Sequence, residues 1–198
     1  MRNIYFILII LSFSCKAQNI VSIYNTPLSA PQAPYYKDID SDFNPLEGEW
    51  KWENGNSSLT IQMQKITMIS QGNGYSDIMI GEYKYIENGT ELVNYLPLVP
   101  NTSNLQTHNL WGGIITTLNK GFPPCAECAP NTRFIIVSVT ETDKPGLYGK
   151  MVMAHFTENN VEKIRMRIWN TYNENVSVDY TGPNDITIPE GVYTLVKQ

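Results

Sequence analysis

The stretch LEGEWKWENGNSSLTIQMQ, Leu46 to Gln64, decides the fold. In its second half Leu59, Ile61 and Met63 are apolar while Thr60, Gln62 and Gln64 are polar, so an extended chain here buries one face and wets the other. Gly48 to Glu53 reads as a partner strand, and Asn54-Gly55 between the two supplies residues that tolerate positive φ. A period of two broken by such a turn is a β-hairpin. The pattern continues downstream, where Ile164, Met166 and Ile168 alternate with Lys163, Arg165 and Arg167. Turn residues recur at Gly72-Asn73-Gly74, Asn88-Gly89, Pro145-Gly146, Asn159-Asn160, Asn173-Glu174-Asn175 and Pro189-Glu190-Gly191.

This spacing predicts strands near 48–53, 57–69, 76–87, 90–95, 111–118, 132–142, 147–157, 161–172, 176–181 and 191–197, with longer loops at 96–110 and 119–131. No stretch of the domain carries a helical period. An antiparallel sheet of about ten strands curls, closes or splits into two layers. The expectation is therefore an all-β domain whose antiparallel meander closes into a barrel, with a β-sandwich as the alternative. Phe134-Ile135-Ile136-Val137 and Val152 to Phe156 are apolar on both faces and mark central or interior strands. Phe134, Ile136, Met151, Met153, Phe156 and Trp50 have the bulk to fill a small barrel, so a filled interior and an open one both stand.

The chain begins MRNIYFILIILSFSCKAQ: one charge at Arg2, an apolar run from Ile4 to Leu11, small residues at Ser12 and Ser14, then Cys15. The run is shorter than the roughly 20 residues a membrane-spanning helix needs, and its layout is that of a secretory signal. Ser12-Phe13-Ser14-Cys15 resembles the lipobox of bacterial lipoproteins, with Ser12 where that family usually has Leu. The resemblance implies cleavage after residue 14, a diacylglycerol thioether at Cys15 and an address in the cell envelope, at the outer membrane facing the periplasm or the cell surface. Residues 15–45, with Pro27, Pro31, Pro34 and Pro45, read as a lipidated N-terminus and extended tether, or as a segment that Tyr24, Tyr35 and Tyr36 lay along the domain. Residues 46–198 form the single domain. Fourteen basic residues less Arg2, against 19 acidic ones, leave the mature chain at a formal −6, the wrong sign for a nucleic-acid partner.

Leu46-Glu47-Gly48-Glu49-Trp50 also resembles the Leu-x-Gly-x-Trp opening of bacterial lipocalin-like domains, in which the Trp packs across the closed end of the barrel and the Gly allows a tight approach. That resemblance implies a lipocalin-like barrel with Gly48 and Trp50 as its signature. With the lipobox, FNPLEGEWKWENGN from Phe43 to Asn56 and the closing GVYTLVKQ, the chain resembles uncharacterised Bacteroidetes lipoproteins with a domain of unknown function. No activity comes with that resemblance.

Chemistry is sparse. His108 sits in a loop and His155 ends an apolar strand, with no hydrolase, zinc-protease or phosphate-loop motif around either. Glu47 and Glu49 are two residues apart and imitate a carboxylate pair, although a solvated strand start explains them as well. No catalytic residue, metal ligand or cofactor site is assigned. Cys125 and Cys128 are what remains once Cys15 is lipidated, and in an oxidising compartment they pair most simply with each other. Pro123-Pro124, Ala129-Pro130 and the strand that follows are not the strand-to-helix setting of a redox dithiol, and Glu127 disfavours a thiolate. Trp169 falls on the Arg165 and Arg167 face of its strand, either as a binding ring or as a surface ring under Arg stems. The functional expectation is non-catalytic binding of a small apolar or sugar-like ligand in the barrel mouth, or of an envelope component. Its alternative is a structural or interaction module with a filled barrel, and a hydrolase requires a cleft that gathers His108 or His155 with carboxylates. Oligomeric state stays open.

Overall fold

The computed structural model describes residues 18–24, 32–96, 107–117, 125–144, 146–173, 182 and 185–198. These form β1 (Asn19–Ser22), β2 (Pro34–Lys37), β3 (Gly48–Asn54), β4 (Ser57–Gln71), β5 (Gly74–Glu87), β6 (Thr90–Asn94), β7 (Leu110–Thr116), β8 (Phe134–Thr140), β9 (Leu147–Glu158), β10 (Val161–Asn173) and β11 (Gly191–Lys197). A single 3-10 turn at Asn44–Leu46 precedes β3. The nine strands from β3 onward lie where alternation and turn residues place them, and the predicted strand at 176–181 lies outside the described residues.

Neighbouring strands pair antiparallel in the order β5-β4-β3-β11-β10-β9-β8-β7. β7 then returns to β5 through Met79↔Gly112, Ile80↔Trp111 and Gly81↔Leu110, which closes an eight-stranded barrel. The sandwich alternative is excluded. Closure removes the open edges that such a sheet otherwise presents.

The barrel is packed, not hollow. Trp50, Ile61, Tyr83, Val137, Met151, Met153 and Ile168 point inward and are each at most 1% exposed. Eight strands leave an interior just wide enough for side chains to fill. Of the residues expected to fill it, Met151, Met153 and Trp50 do so. Phe134, Ile136 and Phe156 do not: they have the opposite parity on β8 and β9, and Phe134 and Ile136 pack with Val152 and Ala154 in a separate cluster. Alternation turns every second side chain to the other face, so apolar character on both faces marks a covered outer surface as well as a core.

Trp50 closes the lower end, the end bearing the β4–β5 and β9–β10 turns. Its indole N–H donates to the Leu46 carbonyl at 2.9 Å, its ring meets the edge of His155, and the Lys197 ammonium lies 5.3 Å from its centroid. Gly48 opens this strand at φ +110°, where a side chain is strained. At the upper end the Tyr83 hydroxyl donates to Glu141 at 3.1 Å, and Lys144 bridges Glu141 (2.6 Å) and Thr187 (2.7 Å). Burial, with the Glu141 charge next in effect, pushes the Tyr83 phenol far above its ordinary pKa, so it stays a donor.

Of the two readings of residues 19–45, the described parts follow the one that lays the segment along the domain. β1 and β2 pair in parallel, and β2 adds to β5 through Tyr35↔Tyr75 and Tyr36↔Ser76. The buried Asp77 carboxylate holds this strap: it accepts from the Tyr35 hydroxyl (2.6 Å), the Asp38 N–H (3.0 Å) and the Met68 N–H (3.0 Å). Asp38 in turn accepts from the Asp42 and Phe43 N–H groups and pairs with Lys65 at 2.8 Å. The result seats Phe43, fully buried, as a plug under the barrel.

Candidate functional site: an outer cleft at the barrel seam

One edge of β5 serves three strands in turn. β2 pairs its start, β7 its middle and β6 its end. Because β7 bonds to β5 over only three residues, it separates from β5 where β2 takes over, and a seam opens between Ser76–Ile78 and Gly112–Ile114. β7 is bulged there, between Gly112 and Ile114. Gly113 is required for packing, since a Cβ on it would sit 2.5 Å from the Phe43 ring. Paired glycines inside a strand signal such a close approach.

Over this glycine floor lies a cleft of about 600 Å³. Its apolar walls are Trp111, Ile114, Ile136, Trp169, Ile78 and Ile23, and Tyr36, Gln71, Ser76, Ser138 and Lys150 add polar groups. Ile114 is 66% exposed, unusual for an isoleucine inside a strand. The register explains the aromatic pair: Trp111↔Ser138, Ser138↔Lys150 and Lys150↔Trp169 form one row across β7, β8, β9 and β10. Residues opposite each other in a sheet share a face, so all four point outward. Three inter-strand spacings separate the two tryptophans, about 14 Å between backbones.

Trp169 also packs on the outer apolar cluster of Phe134, Val152 and Ala154, which Cys128 joins. Cys125 and Cys128 are joined by a disulfide, and Glu127 between them pairs with Arg165 at 2.9 Å, so this loop sits against the outer surface of β8–β10. Those contacts hold the Glu127 carboxyl below its usual range, its own backbone first and Arg165 second.

The other candidates lie elsewhere. His108 meets Glu82 at 3.1 Å, and Asn109 adds its backbone and side-chain N–H to the same carboxylate. This cluster is buried and lies outside the residues that line the cleft. Desolvation pushes Glu82 above the ordinary carboxylate pKa, against the bonds from Asn109 and His108. His155 lies 3.4 Å from Glu162 and against Trp50 at the lower end. Glu47 and Glu49 form no working pair: Glu47 accepts the Lys65 N–H at 2.9 Å, and Glu49 stands exposed. Trp50 is buried toward the lower end as described, whereas Gly48 is exposed with no tight approach at its Cα, so its positive φ is what favours glycine there, and Cys15 lies outside the described residues. Among the described residues no group of three His, Cys, Asp or Glu is placed to hold a metal.

A protein family described as being of unknown function, DUF6705, matches residues 1–198. No curated protein and no solved structure matches the chain.

Proposed function

The chain belongs to DUF6705, a family whose description assigns no activity, and we propose that it is a lipid-anchored envelope protein that binds a small ligand without catalysis, on the outside of its barrel. The observation that carries this reading is the contrast between a packed interior and the outer cleft walled by Trp111 and Trp169. A ligand pocket of ordinary size has a few hundred cubic ångströms, apolar walls and a few placed polar groups, and the cleft meets each condition. Among the described residues, the buried His108–Glu82 pair stands apart from the cleft and lines none of its wall.

The anchor follows from Cys15. Asn19, the first residue of β1, lies four residues beyond it, a contour of at most about 14 Å. Acyl chains on Cys15 therefore hold the barrel against the membrane surface, with no long stalk between. Exchange of Cys15→Ser releases the protein from the membrane fraction; retention there, with residues 1–14 still attached, overturns the anchor.

A second reading rests on the filled interior, which equally suits an interaction module whose cleft grips another envelope component. Pull-down of envelope extract with the mature chain and with a Trp111→Ala/Trp169→Ala variant tests both. Loss of a glycan or small molecule in the variant supports ligand binding, and loss of a protein alone supports the module. A variant that retains everything overturns the cleft as the binding surface.

A further inference from the structure

We propose that the cleft takes a saccharide chain bearing an acidic group, with Lys150 selecting the charge and the two outer tryptophans stacking on the sugar rings. This rests on the cleft being the binding surface. The distance between Trp111 and Trp169 bears on ligand size first. Rings that sandwich a single flat ligand stand a few ångströms from it on either side, and two indoles rooted about 14 Å apart are too far separated for that. They mark the two ends of a platform, which fits a ligand of more than one ring. Ser138 and Lys150 lie between them in the same row, placed for hydroxyls and for a negative charge.

Charge bears on ligand class. Around the cleft, Arg165 is committed to Glu127 and Lys163 to Glu158. Asp77, the cleft's carboxylate, is saturated by one hydroxyl and two backbone donors. Lys150 is exposed and has no ion-pair partner among the described residues. On a chain whose formal charge is −5, the exposed charge lining the cleft is thus positive, that of Lys150, because Asp77 is buried. A free ammonium beside an indole recruits an anion, and the surrounding protein charge repels anions that lack the other contacts.

The rim separates a sugar from an acyl chain. Tyr36, Gln71 and Ser138 place hydroxyl and amide groups around the apolar walls, and the cleft opens to solvent along one side. An acyl chain would leave those polar groups unpaired, while a saccharide pairs its hydroxyls with them and lays its C–H faces on the indoles.

The test is titration calorimetry on the purified full-length mature chain with trigalacturonate and, as the neutral control, maltotriose. Trigalacturonate is expected to bind, more weakly as salt rises from 20 to 150 mM. Lys150→Gln should lower that affinity about tenfold at unchanged melting temperature, since the side chain is exposed, and Lys150→Glu should abolish it. Trp169→Ala should remove binding of either sugar. Equal binding of both sugars, insensitive to Lys150→Gln, overturns the acidic specificity and leaves the cleft in place. Trigalacturonate binding that survives Trp169→Ala overturns the site as well. If neither sugar binds while the double-tryptophan variant still loses its envelope ligand, the saccharide assignment fails and the cleft stands.

Discussion

Strands β7 to β10 carry two faces that differ in kind. Their inner row on β8 to β10, Val137, Met151 and Ile168, is buried and tightly packed, while the outer row one residue away, Trp111, Ser138, Lys150 and Trp169, mixes aromatic rings with a hydroxyl and a cation. A barrel of eight strands has little interior volume, and side chains occupy it. Stability then depends on the inner face, and recognition is left to the outer one. The two functions separate because alternate residues never share a face.

That division is broken most severely from inside. Trp50→Ala removes a fully buried indole together with its bond to Leu46, and is expected to cost about 3–5 kcal/mol, read as a fall in the denaturant midpoint. A cost below about 1 kcal/mol would mean that the interior is not packed around it. Gly113→Val tests the boundary between the faces. The added Cβ meets the Phe43 ring, so the plug must shift, at a cost toward the top of about 1–3 kcal/mol. An unchanged midpoint would show that the seam does not depend on that glycine.

On the outer face the effects shrink. Loss of the Cys125–Cys128 bond through a Ser/Ser variant opens a very short loop, for which chain entropy gives about 2 kcal/mol, and the fold should survive. Mass spectrometry of protein prepared without reductant should find no free thiol at either position; two free thiols contradict the pairing. The smallest effect belongs to Glu82. Its folded pKa lies above the ordinary value of 4.5, so as pH rises from there the unfolded chain releases its proton before the folded one does. Stability should therefore decline with rising pH until Glu82 ionises in the folded state. Glu82→Gln should remove that decline, and an identical pH profile for both proteins would show that the buried carboxyl does not govern it.

Much of this was legible in the sequence. Leu59-Thr60-Ile61-Gln62-Met63 and Ile164 to Ile168 fixed which residues face inward, and the same parity placed Trp169 outside. What alternation cannot encode is what covers an outer surface, and so Phe134, Ile136 and Phe156, which have the bulk to fill a barrel, lie on its outside instead. For a related reason the tyrosines of the strap suggest contact with the domain but not its strand pairing. Pro34-Tyr35-Tyr36-Lys37 has no periodicity of its own and becomes a strand only through Asp77 and the open edge of β5. The cleft depended on register. Trp111 and Trp169 lie 58 residues apart, and only the pairing of β7 to β10 brings Ser138 and Lys150 between them. Trp111-Gly112-Gly113 was the one local signal, since a double glycine within a strand marks a bulge or a close contact.

The four tryptophans report on the two faces directly, because Trp50 and Trp52 belong to the inner side and Trp111 and Trp169 to the outer. Their indole N–H resonances, recorded by ¹H–¹⁵N NMR during titration with trigalacturonate, should divide accordingly. Trp111 and Trp169 are expected to shift with ligand while Trp50 and Trp52 stay in place. Shifts at Trp50 and Trp52 with Trp111 and Trp169 unmoved would put the ligand inside the barrel and contradict an outward-facing site.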